Sequence, residues 1–331
     1  MQNRNSGCMA KASGNELERL ILCAKNSAKI SDDVFLDHLS QSKFEDSAIL
    51  PILSNDILHT IDFGPPVGND MKTAGKISAL NALSDIYAMG GNPCFASVIL
   101  QLSKSLTDKD KTDLLTGLFY TCNNENVKIV GGHTTIGIET TLGLSVIGKP
   151  GKRIINKDGC LTDDLIMISK PIGTGIIFRA NYNDLIEQSL YQKAIEVALI
   201  SNKIGNKLSN YPFVHAMTDV TGFGLIGHLT EMIGANKGAK LSLDLIPIIN
   251  GTAEINAGNI LDATIRNNMY YAANLHRIVH NLDSTETAVL LDPQTNGPLM
   301  ICIDPTYQHE AENLGFTKIG IITDNPKIII M

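Results

Sequence analysis

One segment constrains this chain more than any other. Residues 72–89, KTAGKISALNALSDIYAM, read as a helix, with Ile77, Leu80, Leu83 and Tyr87 on one stripe and Gly90-Gly91 closing it. Asp85 interrupts the apolar run, four residues after Asn81 and so on the same face. A carboxylate in an apolar helix costs free energy to bury unless it is paired or binds a cation. The helix sits among short strand patterns. SAILPIL and DILHTIDF precede it, then the breaker loop GPPVGND, and CFASVILQL follows. A second helical pattern at 106–123 leads to the strand NVKIV and then Gly131-Gly132-His133-Thr134. LGLSVIG and DLIMISK are further strands, with a basic, glycine-rich connector between them that places a domain boundary near residue 155. Beyond it come PIGTG, a helical region through Lys207, the strand VHAMTD, and a helix at 225–233. Two α/β or α+β domains account for this order.

The whole chain agrees with that division. Its 331 residues suit two domains of roughly 100–200 residues each. With 44% hydrophobic and 18% charged residues, the chain is globular rather than disordered. A formal charge of −7 offers no general field for a phosphate backbone, so no nucleic-acid partner is expected. No apolar run reaches the ~18–20 residues of a bilayer span, so no membrane partner is expected either. Residues 1–20 show no apolar secretory core. The six cysteines, at 8, 23, 94, 122, 160 and 302, are scattered and form no CxxC pair. A reduced, cytoplasmic protein is expected.

The acidic positions carry the strongest chemical signal. Asp62 lies near the end of a strand, Asp85 in the apolar helix, and Asp219 at the end of a strand before Val220-Thr221-Gly222-Phe223-Gly224. Several such carboxylates make an oxygen-rich site suited to Mg²⁺ and substrate phosphates; taken singly, Asp85 reads sooner as facing solvent, and Asp62 and Asp219 as capping turns. The Gly131–Thr134 segment and the Gly222–Gly224 turn let backbone N–H groups approach a phosphate. Neither is a P-loop, and each alone reads sooner as a ligand-free turn. On the glycine-, serine- and asparagine-rich arm that precedes a short helical pattern at 16–23, Lys11 stands three residues from Cys8. It could lower the thiol pKa or pair with a polyphosphate, and an ordinary surface thiol is the alternative.

These pieces occur together and in order: GC..K at 7–11, ED at 45–46, TIDF at 60–63, NALSDIYAMGG at 81–91, GGHT at 131–134, MTDVTGFGLIGHLTEM at 217–232, TIRN at 264–267 and PQTNG at 293–297. In this the chain resembles the selenophosphate synthetases (selenide, water dikinases) of the aminoimidazole-ribonucleotide-synthetase-like (PurM-like) superfamily, over almost its whole length. The resemblance implies an α+β, two-domain PurM-like ATP-binding fold, with N-terminal domains pairing into a β-barrel in a homodimer and a C-terminal α/β domain. It divides the chain into an arm and leading helix (1–40), an ATP- and metal-binding dimerisation domain (41–155) and a C-terminal domain (156–331). The implied reaction turns selenide, ATP and water into selenophosphate, AMP and phosphate, with Mg²⁺ required and a selenium-delivery protein as a candidate donor. Cys8 matches the family's catalytic cysteine and Lys11 its essential lysine. Asp46, Asp85 and Asp219 match metal-binding aspartates. Lys11, Lys43, Phe44, Glu45, Asp62, Asp85, Gly132, His133 and Thr134 match ATP-contacting positions. Three departures stand out: Ala10 where many members have a second cysteine, Pro298 where a second glycine follows PQT.G, and Asp262-Ala263 in place of a glycine pair. Another PurM-like phosphotransferase and a catalytically idle nucleotide-binding relative are the competing readings.

Overall fold

The structure, a computed structural model, describes residues 48–52, 55–68, 70–252, 255, 263–274 and 288–331. The expectations for Cys8, Ala10, Lys11, the helix at 16–23, Lys43, Phe44, Glu45, Asp46 and Asp262 fall outside the described residues.

The first half builds one five-stranded sheet among the described residues. Its strands are β1 (Ala48–Ile52), β2 (Asn55–Gly64), β3 (Asn92–Ser103), β4 (Lys128–Gly137) and β5 (Thr141–Lys149), in the order β1-β2-β5-β3-β4. All neighbours run antiparallel except β3 and β4, which are parallel. Helix α1 (Met71–Ala88) starts where Asp70 accepts hydrogen bonds from the N–H groups of Lys72 and Thr73, both at 3.2 Å, satisfying two of the helix's orphan donors. Helix α2 (Asp108–Asn124) starts with a reciprocal capping box between Thr107 and Asp110. The two helices pack on one face of the sheet and cross closely enough that a Cβ on Gly75 would meet the Leu114 carbonyl oxygen at 2.0 Å, and one on Gly117 the Lys72 carbonyl oxygen at 1.9 Å. Only glycine permits that approach. The buried side of β2 supplies Leu58 and Thr60, and β5 supplies Leu142, Leu144 and Val146. The other side carries Ile61, Phe63, Phe95 and Ile147, all exposed.

The second half builds a six-stranded sheet from β6 (Leu165–Ile168), β7 (Val214–Asp219), β8 (Gly238–Leu241), β9 (Leu299–Ile303), β10 (Thr317–Thr323) and β11 (Ile328–Ile330), in the order β11-β8-β10-β6-β9-β7. Strand β6 is buried on both faces, and its period of two divides it: Ile166 and Ile168 enter one core, Leu165 and Met167 another. The first core is covered by helices α3 (Thr174–Tyr182), α4 (Gln188–Ala198) and α6 (Gly224–Ile233), the second by α8 (Gln308–Asn313). Helix α5 (Ile204–Leu208) packs against α1, so that Ala88 joins the second core. Helix α7 (Ala263–Asn274) packs on α6. Among the described residues no helix is long and apolar enough to cross a membrane.

One expectation is corrected here. The sequence reads Gly131–Thr134 as a turn after a strand, whereas these residues run through the middle of β4, paired in parallel with Ser97–Leu100 of β3. Glycine serves close approach in this strand: a Cβ on Gly132 would lie 2.4 Å from the Val98 carbonyl oxygen. Extended pairing with β3 satisfies the backbone that a turn would otherwise have to satisfy locally.

Candidate active site

One face of α1 organises the predicted carboxylates. Asn81, Ser84 and Asp85 lie at positions i, i+3 and i+4, hence side by side. Asn81 Nδ2 donates to Asp62 Oδ2 of β2 at 2.5 Å. Thr60, two residues earlier on the same face of β2, donates its hydroxyl to Asp85 Oδ2 at 2.6 Å. Ser84 Oγ donates to Asp219 Oδ2 at 2.5 Å, linking the first domain to the end of β7 in the second. Thus Asp62, Asp85 and Asp219 all attach to one helical face, each taking a hydrogen bond from a neutral donor. Neutral donors satisfy a carboxylate oxygen without cancelling its charge, so these side chains offer the hard oxygen donors that Mg²⁺ prefers. No group of three or more His, Cys, Asp or Glu side chains among the described residues could by itself hold a metal ion.

Gly132, His133 and Thr134 lie elsewhere. They are exposed on β4, and strands β5 and β3 separate that edge from β2 and Asp62. The predicted ATP-contacting set is therefore split across the sheet within one protomer.

Behind Asp219, the turn at 221–224 is braced from below. Thr221 carbonyl accepts the N–H groups of Gly224 at 3.1 Å and Gln294 at 2.9 Å. The Thr221 hydroxyl lies 3.4 Å from His228 Nε2. Glu231, on the next turn of α6, accepts from Lys157 Nζ at 3.2 Å and Tyr271 OH at 3.1 Å. His228 Nδ1 lies 3.2 Å from Glu231 Oε2. Burial pushes the Glu231 carboxyl up, but Lys157 and His228 outweigh it and hold it at about 2. Phe223 stacks on Tyr271, with centroids 4.9 Å apart.

Known proteins resemble this chain in sequence and in fold. Family models for AIR synthase related protein match the chain twice, the N-terminal domain over residues 44–149 and the C-terminal domain over 163–331. Selenide, water dikinase of Clostridioides difficile (strain 630) is 33% identical over 322 residues, covering 91% of this chain and 91% of that protein. Selenide, water dikinase of Aeromonas hydrophila is 32% identical over 329 residues, covering 98% and 92%. The chain belongs to the selenide, water dikinase family. Thiamine monophosphate kinase from Aquifex aeolicus superposes on it with a TM-score of 0.65 at 15% identity, covering 90% of this chain and 94% of that one. Hydrogenase maturation protein HypE in complex with ATP does so at 0.61 and 17%, covering 90% and 86%. These two likenesses show the shared fold.

At Pro298, where the family pattern has a second glycine, the carbonyl accepts the Val220 N–H at 2.8 Å, next to Asp219. Sequence reasoning passed over Thr60 and Ser84, although both lie inside quoted motifs. It also passed over Lys170, Asn202 and Asn296, which reach the site from the second domain. Lys170 is 3% exposed, and its Nζ donates to the carbonyls of Ile200 at 2.9 Å and Asn296 at 2.7 Å. Burial lowers its pKa to about 7, against the raising pull of Asp219. Only Asn296 carried a sequence signal, as part of PQTNG.

Proposed function

We propose that this protein makes selenophosphate from selenide and ATP, releasing AMP and phosphate. The observation that carries the reading is the Asn81–Ser84–Asp85 face of α1, which gathers Asp62, Asp85 and Asp219 from two domains. Two phosphoryl linkages are cut, so several adjacent anionic groups need neutralising. Asp46, Asp85 and Asp219 would hold Mg²⁺, which supplies that neutralisation when bound. Asp62 and Asp85 engage the nucleotide side of the site. Lys11 stabilises charge on the transferred phosphoryl group, and Cys8 receives or guides selenide, free or handed over by a delivery protein. An arm closing over the nucleotide would keep water out until selenide is in place.

The working unit is a homodimer. Ile61, Phe63, Phe95 and Ile147 leave an apolar sheet face open, and β4 is an exposed edge that also bears Val130 and Ile136. A second copy covers both. It also resolves the split site, because the Gly132–Thr134 strand of one protomer then serves the carboxylates of the other. A cytoplasmic location is consistent with the unpaired thiols of Cys94, Cys122, Cys160 and Cys302.

The deciding test is ³¹P NMR of the protein with ATP, Mg²⁺ and selenide. A selenophosphate resonance growing together with AMP and phosphate is expected. ATP consumption that gives ADP, or that ignores selenide, overturns the reading.

A further inference from the structure

Two hydrogen-bond relays run from the second domain, through α1, to the carboxylates. In one, the backbone N–H of Asn296 donates to Asn81 Oδ1 at 2.7 Å, and Asn81 Nδ2 donates onward to Asp62. In the other, Asn202 Nδ2 donates to Ser84 Oγ at 2.8 Å, and Ser84 Oγ donates onward to Asp219. The two relays share anchors. Asn202 Nδ2 also reaches the Gly297 carbonyl at 3.0 Å. Asn296 Nδ2 donates to the carbonyls of Ala198 at 2.7 Å and Ile200 at 2.9 Å, and the Lys170 ammonium ties Ile200 to Asn296.

We infer that Lys170, Asn202 and Asn296 form a buried interdomain clamp whose role is to set the orientation of Asp62 and Asp219. They are positioning residues: each acts through another side chain, and none is assigned a contact with substrate. Donor direction supports this. Asn81 and Ser84 have rotatable polar groups, so either could turn away from its carboxylate. Asn296 N–H fills the acceptor of the Asn81 amide, which leaves only its NH₂ to face Asp62. Asn202 fills the acceptor side of the Ser84 hydroxyl, which directs its proton at Asp219.

The clamp is also held in a form that packing alone does not require. Asn296 is fully buried in the left-handed region, with φ of 47°, where asparagine is among the few side chains tolerated. Its Oδ1 is buried without a hydrogen-bond partner. An apolar loop would avoid that desolvation cost.

This inference rests on the proposed roles of Asp219 in holding the cation and of Asp62 in engaging the nucleotide beside it, so its test must separate the clamp from that reading. Asn202→Ala and Asn296→Gly are compared with wild type. Glycine keeps the left-handed backbone and the N–H toward Asn81 while removing the side-chain tether. Lys170→Met is the third variant. Mn²⁺ titration of each protein in the presence of ATP, followed by electron paramagnetic resonance, reads cation affinity without turnover. Selenide-dependent AMP release is measured alongside, together with melting temperature.

The expected result is a weakening of Mn²⁺ affinity of about tenfold in Asn202→Ala and Asn296→Gly. The rate should fall, and added Mg²⁺ should partly restore it, while in Asn202→Ala, whose relay ends on Asp219, KM for ATP moves less than threefold. Wild-type Mn²⁺ affinity in folded variants overturns the clamp, as does a rate loss that follows melting temperature alone and ignores Mg²⁺. If wild type binds Mn²⁺ with ATP yet makes no selenophosphate, the proposed function fails while the titration still decides the clamp. If wild type binds no Mn²⁺, the cation-ligand reading and the clamp fall together.

Discussion

Ser84 and Asp219 are 135 residues apart in the chain and 2.5 Å apart in the fold, and both are buried. Their hydrogen bond joins the helix of the first domain to the last residue of β7. Ser84→Ala removes a donor from a buried carboxylate and leaves Asn202 without one acceptor. A loss of about 1–3 kcal/mol is expected for such a group. Urea denaturation of wild type and variant checks it; an unchanged midpoint would mean that water replaces the hydroxyl at no cost.

Asp85→Ala and Asp219→Ala are expected to abolish Mg²⁺-dependent ATP turnover while circular dichroism still reports a folded protein. Each substitution relieves repulsion between carboxylates but leaves the Thr60 or Ser84 hydroxyl without its acceptor, so the melting temperature without metal should fall by no more than it does in Ser84→Ala. Undiminished AMP production in both variants would remove these aspartates from the metal site.

Glu231 gives a pH prediction whose sign is fixed by Lys157 and His228. Its carboxyl titrates near 2 in the fold, below the 4.5 of a free glutamate. The contribution is therefore fully present above about pH 4.5 and is lost as pH falls toward 2, amounting to something on the order of 3 kcal/mol. Glu231→Gln should flatten that limb of the stability profile. It should also cost about 1–3 kcal/mol near neutral pH, because the buried Lys157 ammonium then faces a neutral amide in place of a carboxylate. Denaturation midpoints between pH 2 and 7 decide this.

The proposed dimer can be broken from its apolar face. Phe63→Asp or Val130→Asp places a charge where a second copy would bury it, and light scattering should then report monomers. A sharper test mixes two inactive proteins, Asp85→Ala and the double variant His133→Ala with Thr134→Ala. If the β4 segment serves the other protomer, random mixed dimers carry one intact site each and recover about a quarter of wild-type activity. No recovery would place both halves of the site within one protomer.

Cys8 and Lys11 separate catalysis from stability. The first 14 residues carry few apolar groups, so substitutions there should leave the melting temperature nearly unchanged. Cys8→Ser should spare ATP affinity and lose selenophosphate formation, because the hydroxyl keeps the size but not the soft, ionisable sulfur. Lys11→Ala should weaken ATP binding as well. Wild-type selenophosphate output from Cys8→Ser would show that the cysteine is dispensable.

The sequence by itself was enough to read most of the local structure and part of the candidate site. The stripe of Ile77, Leu80, Leu83 and Tyr87 located α1, and its period put Asn81 and Asp85 on one face. The strand ending at Asp219 and the glycine turn after it were legible for the same reason: helix period, strand alternation and glycine breaks are properties of neighbouring residues. The long motifs from NALSDIYAMGG to PQTNG named the family. Tertiary structure alone decided which side chains meet. Nothing local to Ser84 points to Asp219, and nothing local to Asn202 points to Ser84. It also decided that Gly131–Thr134 is an edge strand, since the same four residues make a turn or a strand depending on whether β3 lies alongside. A hydrogen bond is specified by two partners, and when they lie far apart in the chain, only the packing of the two domains brings the second within reach of the first.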